Sequence, residues 1–267
     1  PSKPYRVTRT VYRFDAIGYL DSTVEDIYVI TIEDGQTRQL TNDGLMNRQP
    51  RWSPNGREIL YEATMDPDRF DCIFPWLRIV DMDAQVRDIL GEWGTGSDAT
   101  WLPDGKRVAF IGRPNEDGWK YWSSKSDLWV VDTQGGQPEC RTAGLEVGIG
   151  SILQPDLPNI VLMAKHQILI PDGQMAFVNI QVGGITPIYR IALSGDESFE
   201  SIVGGNRSCV PLAINQDMLM YAASEINNPA DLFVSDIDGN DERLLTEVNA
   251  SVLSEFHLPE VCLLYTS

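Results

Sequence analysis

Two histidines and four cysteines are the side chains in this 267-residue chain best suited to ligate a metal or act as a nucleophile. Their spacing assembles neither chemistry. His166 has no metal-compatible neighbour at helical i, i+4 or strand i, i+2 spacing, and His257 has only Glu255. Cys72, Cys140, Cys209 and Cys262 form no C-x-x-C pair and read as scattered thiols of a reducing compartment, which points to a cytoplasmic protein. A G-x-S-x-G nucleophile elbow is absent. The nearest strings are Gly94-Thr95-Gly96-Ser97, which leads toward the strand of Trp101, and Gly148-Ile149-Gly150-Ser151, in the loop before Pro155. There is no phosphate loop or dinucleotide fingerprint, and the Asp/Asn-Gly turns lack the clustered oxygens of a calcium loop. The sequence therefore nominates no catalytic residue, no cofactor-binding residue, no metal ligand and no cofactor. Alone, the chain is expected not to be an enzyme.

The elements that would have to position any site repeat along the chain. Five short strands read Asp26-Ile27-Tyr28-Val29-Ile30, Trp76-Leu77-Arg78-Ile79-Val80-Asp81, Asp127-Leu128-Trp129-Val130-Val131-Asp132, Pro187-Ile188-Tyr189-Arg190-Ile191 and Asp231-Leu232-Phe233-Val234-Ser235-Asp236. Aligned on Tyr28, Arg78, Trp129, Tyr189 and Phe233, the steps are 50, 51, 60 and 44 residues. A period of about 40 to 50 residues with several strands per unit is the signature of β-propeller blades. The expected fold is therefore all-β: a β-propeller with about five four-stranded blades spanning 1–267.

The linking half of each unit agrees. Trp52-Ser53-Pro54-Asn55-Gly56-Arg57, Trp101-Leu102-Pro103-Asp104-Gly105-Lys106 and Leu169-Ile170-Pro171-Asp172-Gly173-Gln174 each precede a second apolar run. The last unit keeps only Ile214-Asn215-Gln216-Asp217. Pro presets φ, Asp bonds its own backbone and Gly tolerates positive φ, so each unit reads strand, tight turn, strand. The Trp ahead of the turn is expected to pack between neighbouring blades. Two irregular stretches interrupt the pattern. One is Leu145 to Gln167, with Gln154-Pro155-Asp156-Leu157-Pro158; the other is Pro114 to Ser126, with Trp119, Tyr121 and Trp122. Each reads as a partner-contacting loop or as a cap on its own blade.

Charge narrows the partners. With 21 basic and 39 acidic residues the net charge is −18, which argues against nucleic acid and against anionic membrane. No apolar run is long enough to span a bilayer. The sequons Asn206-Arg207-Ser208 and Asn249-Ala250-Ser251 have no supporting secretion signal. The start at Pro1 and the stop at Ser267 suggest a piece of a longer chain. Cys262-Leu263-Leu264-Tyr265-Thr266-Ser267 reads either as a divergent hinge or as a translated sequencing-adapter tail.

Three stretches together resemble the non-catalytic propeller of prolyl-oligopeptidase-family serine peptidases, in the acylaminoacyl-peptidase and dipeptidyl-aminopeptidase-like branch. They are Phe14 to Asp21 running into the Tyr28 strand and Thr37-Arg38-Gln39-Leu40-Thr41, then Ile188 to Gly195 leading to Cys209-Val210-Pro211-Leu212-Ala213, and Asn227 to Asn249. The resemblance implies that the chain is a fragment of a seven-bladed ring, with about two blades upstream of Pro1 and an α/β-hydrolase domain of the same parent chain after Ser267. It implies a propeller that admits peptide substrates and excludes folded proteins. The run Val261 to Leu264 departs from that pattern, which has a more polar crossing there. The alternative is a stand-alone binding propeller of the Tol-system or WD-repeat type, favoured by the absence of catalytic signatures.

Overall fold

The computed structural model describes residues 6, 12–14, 18–19, 24–64, 75–115, 125–149, 168–215 and 217–258. Cys72, Cys262, His166, Trp119, Tyr121, Trp122, the Gln154–Pro158 loop and the Val261–Leu264 run lie outside these residues. A short hairpin of β1 (Arg13–Phe14) and β2 (Gly18–Tyr19) precedes the blades. Each of the five repeated strands then falls in its own antiparallel sheet. Tyr28 lies in β3 (Tyr28–Ile30), paired with β4 (Thr37–Gln39). Arg78 lies in the third strand of the meander β5 (Met46–Trp52), β6 (Glu58–Thr64), β7 (Trp76–Asp81) and β8 (Val86–Asp88). Trp129 takes the same place in β9 (Gly94–Trp101), β10 (Arg107–Pro114), β11 (Asp127–Asp132) and β12 (Glu139–Cys140). Tyr189 is in the sheet of β13 (Met175–Asn179), β14 (Ile188–Ala192) and β15 (Phe199–Val203). Phe233 is in that of β16 (Ser208–Ile214), β17 (Met218–Glu225), β18 (Asn228–Asp236) and β19 (Arg243–Leu244). One short helix, α1 (Ala250–Leu253), follows. The fold is all-β and built of propeller blades. Three sheets have four strands; among the described residues the Tyr189 sheet has three and the Tyr28 sheet two.

The tight turns form as their residue types require. Gly56, Gly105 and Gly173 all hold positive φ, at 68°, 66° and 79°, which glycine adopts without steric cost. Asp104 Oδ1 accepts from the N–H of Lys106 (2.8 Å) and Arg107 (3.1 Å). Asp172 Oδ1 does the same for Gln174 and Met175. Asn215 takes that role in the degenerate last turn, accepting from Asp217 and Met218. The side-chain acceptor, and not the whole Pro-Asp-Gly string, is the shared element.

A second lock joins the outer pair of strands in three blades. Thr41 Oγ1 donates to Asp26 Oδ1 at 2.8 Å while accepting from Ile27 N–H at 2.9 Å. Thr142 and Asp127 repeat this around Leu128, and Thr246 and Asp231 around Leu232. The acid at the edge of the repeated strand is thus half of a clasp closed fifteen residues later. Trp76 and Pro187 stand at the acid's place in the other two blades.

The chain divides into two compact units, residues 1–124 with 129–139 and residues 125–128 with 140–267. In the first, alternate residues of β6 face opposite ways, as a pleated strand demands. Ile59, Tyr61 and Ala63 pack with Ile27 and Leu40 of the β3–β4 sheet, and Leu60 packs with Leu77, Ile79 and Ile89 against Trp101, Val108 and Phe110. In the second unit, Phe177, Ile188 and Val203 meet Cys209, Leu219 and Tyr221. Trp101 fills a seam between blades as expected, 7% exposed, with Nε1–H donating to Arg51 O at 3.0 Å. Trp52 does not: it is 51% exposed. The β3–β4 sheet packs over β6 and β7 and leaves the end of β5 uncovered.

Candidate functional site

The first strand departs from regular pairing in three blades. In β5 the register against β6 shifts between Arg48 and Arg51. In β9 it shifts at Ser97–Thr100, opposite Ala109 and Ile111, and in β16 between Pro211 and Ala213. A bulge bends its strand and re-aims a side chain. Two of these bulges hold a non-glycine residue in the left-handed region, Gln49 (φ 57°) and Asp98 (φ 53°). That conformation costs about 1–2 kcal/mol per residue, and such strain collects at binding surfaces.

The Asp98 bulge is fastened by a second acid. Asp98 N–H donates to Glu62 Oε1 at 2.7 Å, and Ser97 Oγ lies 3.3 Å from Asp98 Oδ2. Glu62 is buried on β6, in a strand otherwise lined by Ile59, Leu60, Tyr61 and Ala63. On the neighbouring first strand, the Arg48 guanidinium forks onto both carboxylate oxygens of Glu25. The Glu62 carboxylate is engaged by the Asp98 amide and that of Glu25 by Arg48, and the bulge re-aims the Asp98 side chain. The sequence held one legible signal of it, a glutamate inside an apolar strand; the left-handed positions at Gln49 and Asp98 had none.

The chemistry-bearing residues weighed from sequence are not drawn together. Gly94, Thr95 and Gly96 lie in β9 and serve packing: a Cβ on Gly96 would sit 2.6 Å from the Phe110 ring. Ile149 bridges Ile180, and Gly150 and Ser151 lie outside the described residues. Burial pushes the Cys209 thiol up to about 11 against the pull of Arg207, and burial likewise raises that of Cys140. Both stay protonated and weakly nucleophilic near neutral pH. His257 is exposed beyond α1. Among the described residues no three His, Cys, Asp or Glu side chains are arranged to hold a metal ion, and no helix is long and apolar enough to cross a membrane.

A polar network in the second unit was also missed from sequence. Glu242 accepts from both terminal nitrogens of Arg207 and from Tyr221 Oη. The Arg207 guanidinium lies 5.1 Å from the centre of the Phe233 ring, which stacks on Tyr221. Hydrogen bonds from Arg207, opposed by burial and aided by Tyr221, hold the Glu242 carboxyl below its ordinary range. The network ties the turn after Val203 to the outer strand and is a structural anchor.

Blades of this design are found in proteins of known structure. No family model matches the sequence, and no curated protein matches it either. The acylaminoacyl peptidase of Pyrococcus horikoshii is similar over 96% of this chain and 36% of its own, with 15% identity and a TM-score of 0.62. TolB from Acinetobacter baumannii is similar over 82% of this chain and 48% of its own (15% identity, TM-score 0.53). A puromycin-hydrolyzing peptidase of Mycobacterium tuberculosis is similar over 84% of this chain and 35% of its own (16% identity, TM-score 0.56). The chain thus spans between a third and a half of the length of these proteins. At these identities the likeness is one of fold: this chain is built like the propeller domains of peptidases and like TolB.

Proposed function

We propose that the chain is the substrate-gating propeller of a serine peptidase of the prolyl-oligopeptidase family, acylaminoacyl-peptidase-like, and non-catalytic by itself. The chemistry then lies in an α/β-hydrolase domain of the same parent chain, peptides are the substrates, and the compartment is the cytoplasm. The observation that carries this reading is the first-strand bulge at Asp98, held by Glu62. Propeller blades surround a central channel, and a residue re-aimed by a first-strand bulge, as Asp98 is, would face what passes through it. The likeness to the acylaminoacyl peptidase along nearly the whole chain supports the same reading.

The test is the coding DNA on both sides of the segment. A downstream frame with a G-x-S-x-G elbow, followed by Asp and His, supports a peptidase. A stop codon soon after Ser267, with a start or signal peptide just before Pro1, removes it. The purified chain should turn over no peptide or acyl-peptide; serine-dependent hydrolysis by it would overturn the division of labour. The likeness to TolB favours a second reading, a stand-alone binding propeller, which the second DNA outcome would support.

A further inference from the structure

We propose that Asn55, in the turn between β5 and β6, is a site of spontaneous deamidation that the folded turn holds in check and that opening of the turn releases. This modification does not depend on the peptidase reading.

Of the twelve asparagines in the chain, only Asn55 is followed by glycine. The reaction uses that neighbour. The backbone nitrogen of Gly56 gives its proton to hydroxide or water and attacks Cγ of Asn55. A C–N bond forms, the side-chain nitrogen leaves as ammonia, and a cyclic imide remains. Water then opens the ring at either carbonyl, which yields aspartate or isoaspartate; nothing is oxidised or reduced. A Cβ on the attacking residue would crowd the ring closure, and glycine has none. Asn55 and Gly56 are both exposed, so water and hydroxide reach them.

The folded turn opposes the attack. Gly56 N–H donates to Ser53 O at 2.9 Å, which engages the proton the reaction must remove. Asn55 Oδ1 accepts from Arg57 N–H at 3.0 Å and from Ser53 Oγ at 2.8 Å, which fixes the carboxamide in place. Ser53 is the brace. It is buried, and its Oγ also accepts from the N–H of Arg57 (3.2 Å) and Glu58 (3.0 Å). Leu102 and Ile170 stand at its place in the two Pro-Asp-Gly turns, so the turn with an asparagine is the one with a hydroxyl to hold it. Ring closure requires the carboxamide to leave these partners and fold back on the Gly56 nitrogen, so it proceeds from the opened turn.

The fold already displays one of the two products. Asp104 and Asp172 occupy the place of Asn55, and each Oδ1 accepts from two backbone N–H groups. Gly105 and Gly173 hold φ of 66° and 79°, against 68° for Gly56. A carboxylate at position 55 keeps an oxygen where Oδ1 now sits, and with it the bonds from Arg57 and Ser53. The isoaspartyl product routes the backbone through the side chain and adds a carbon between Trp52 and Ile59, which are paired across the turn. That insertion upsets the register of β5 on β6.

Incubation of the 267-residue chain at neutral pH, folded and in urea, tests this. The tryptic peptide 52–57 is resolved into asparagine, aspartate and isoaspartate forms by chromatography and mass spectrometry. In urea Asn55 should convert ahead of every other asparagine, and in the folded chain its conversion should be slower by about tenfold or more. Ser53→Ala should convert faster than the parent when folded, and at the parent's rate in urea. Circular dichroism checks that this variant is folded; the parent's two rates test the gate without it. Asn55→Asp should unfold at the parent's urea midpoint, and the purified isoaspartyl form at a lower one. No preference for Asn55 in urea would overturn the site. Equal rates in the folded and unfolded parent, or a folded Ser53→Ala chain no faster than the parent, would overturn the gate. A lowered midpoint for Asn55→Asp would overturn the claim that the turn accepts the product.

Discussion

Ile89 and Leu245 close the outer edge of their blades with the same backbone hydrogen bond, yet Ile89 is 1% exposed and Leu245 49%. Both are branched aliphatic residues, each just beyond a short outer strand. What separates them is the neighbouring sheet. Trp101 and Phe110 lie over the first, while the second borders an open groove. Trp52 and Trp101 make the same contrast at the other end of the blade. In a repeat protein burial belongs to the seam between units, so equal residues at equal positions carry unequal energies.

Substitutions across that contrast should separate widely. Trp101→Ala removes a buried indole and its bond to Arg51 O, and should cost about 3–5 kcal/mol in urea unfolding. Trp52→Ala should cost about 1 kcal/mol or less. Equal losses would show that the seam at Trp101 is not what stabilises the blade. Ile89→Ala should cost about 2–5 kcal/mol, against about 0.5 kcal/mol for Leu245→Ala in dilute solution. The clasps should be more even, because they are internal to each blade. Thr142→Val and Thr246→Val each strip an acceptor from a strand N–H and a donor from an aspartate, for about 1–3 kcal/mol. A loss at one site only would mean that the seam governs the clasp too.

Acid should distinguish the blades least. Burial disfavours ionisation of Asp231, but bonds from Val248 N–H, Asn228 and Thr246 outweigh it and hold its carboxyl low, as Arg207 does for Glu242. Folded pKa values below the unfolded ones stabilise the native state above an unfolded carboxylate pKa of about 4. That contribution disappears as pH falls through the folded values. Unfolding midpoints measured from pH 7 to 3 should therefore decline at the acid end, less steeply for Glu242→Gln. In base the sign reverses: burial lifts Tyr61 to about 12, so its contribution fades as pH climbs from about 10 toward that value.

Much of this architecture was legible because it is local. The repeated strands and the turns at Gly56, Gly105 and Gly173 depend on residues a few positions apart, and the structure places them where the sequence did. Even the eroded turn at Asn215 kept its acceptor. The clasps were half visible: the acids stood out at the strand edge, but the threonines lay fifteen residues away, across a turn of variable composition. The exposure of Trp52 was illegible, because nothing near it in sequence says which sheet will cover it. The bulges at Gln49 and Asp98 were illegible for a similar reason. Neither residue type demands a left-handed backbone, and the partner that fixes Asp98 is Glu62, on another strand.

The clasp also bears on how such a chain can grow. Acid, threonine and the amide that donates to the threonine sit within one contiguous stretch, from Asp26 to Thr41, Asp127 to Thr142 and Asp231 to Thr246. A gene duplication that copies one blade therefore copies the whole fastening, with no second locus that must change in step. The seams have no such independence, since each needs a match in the adjoining unit. Drift should accordingly be freer in blade number than in the surfaces where blades meet.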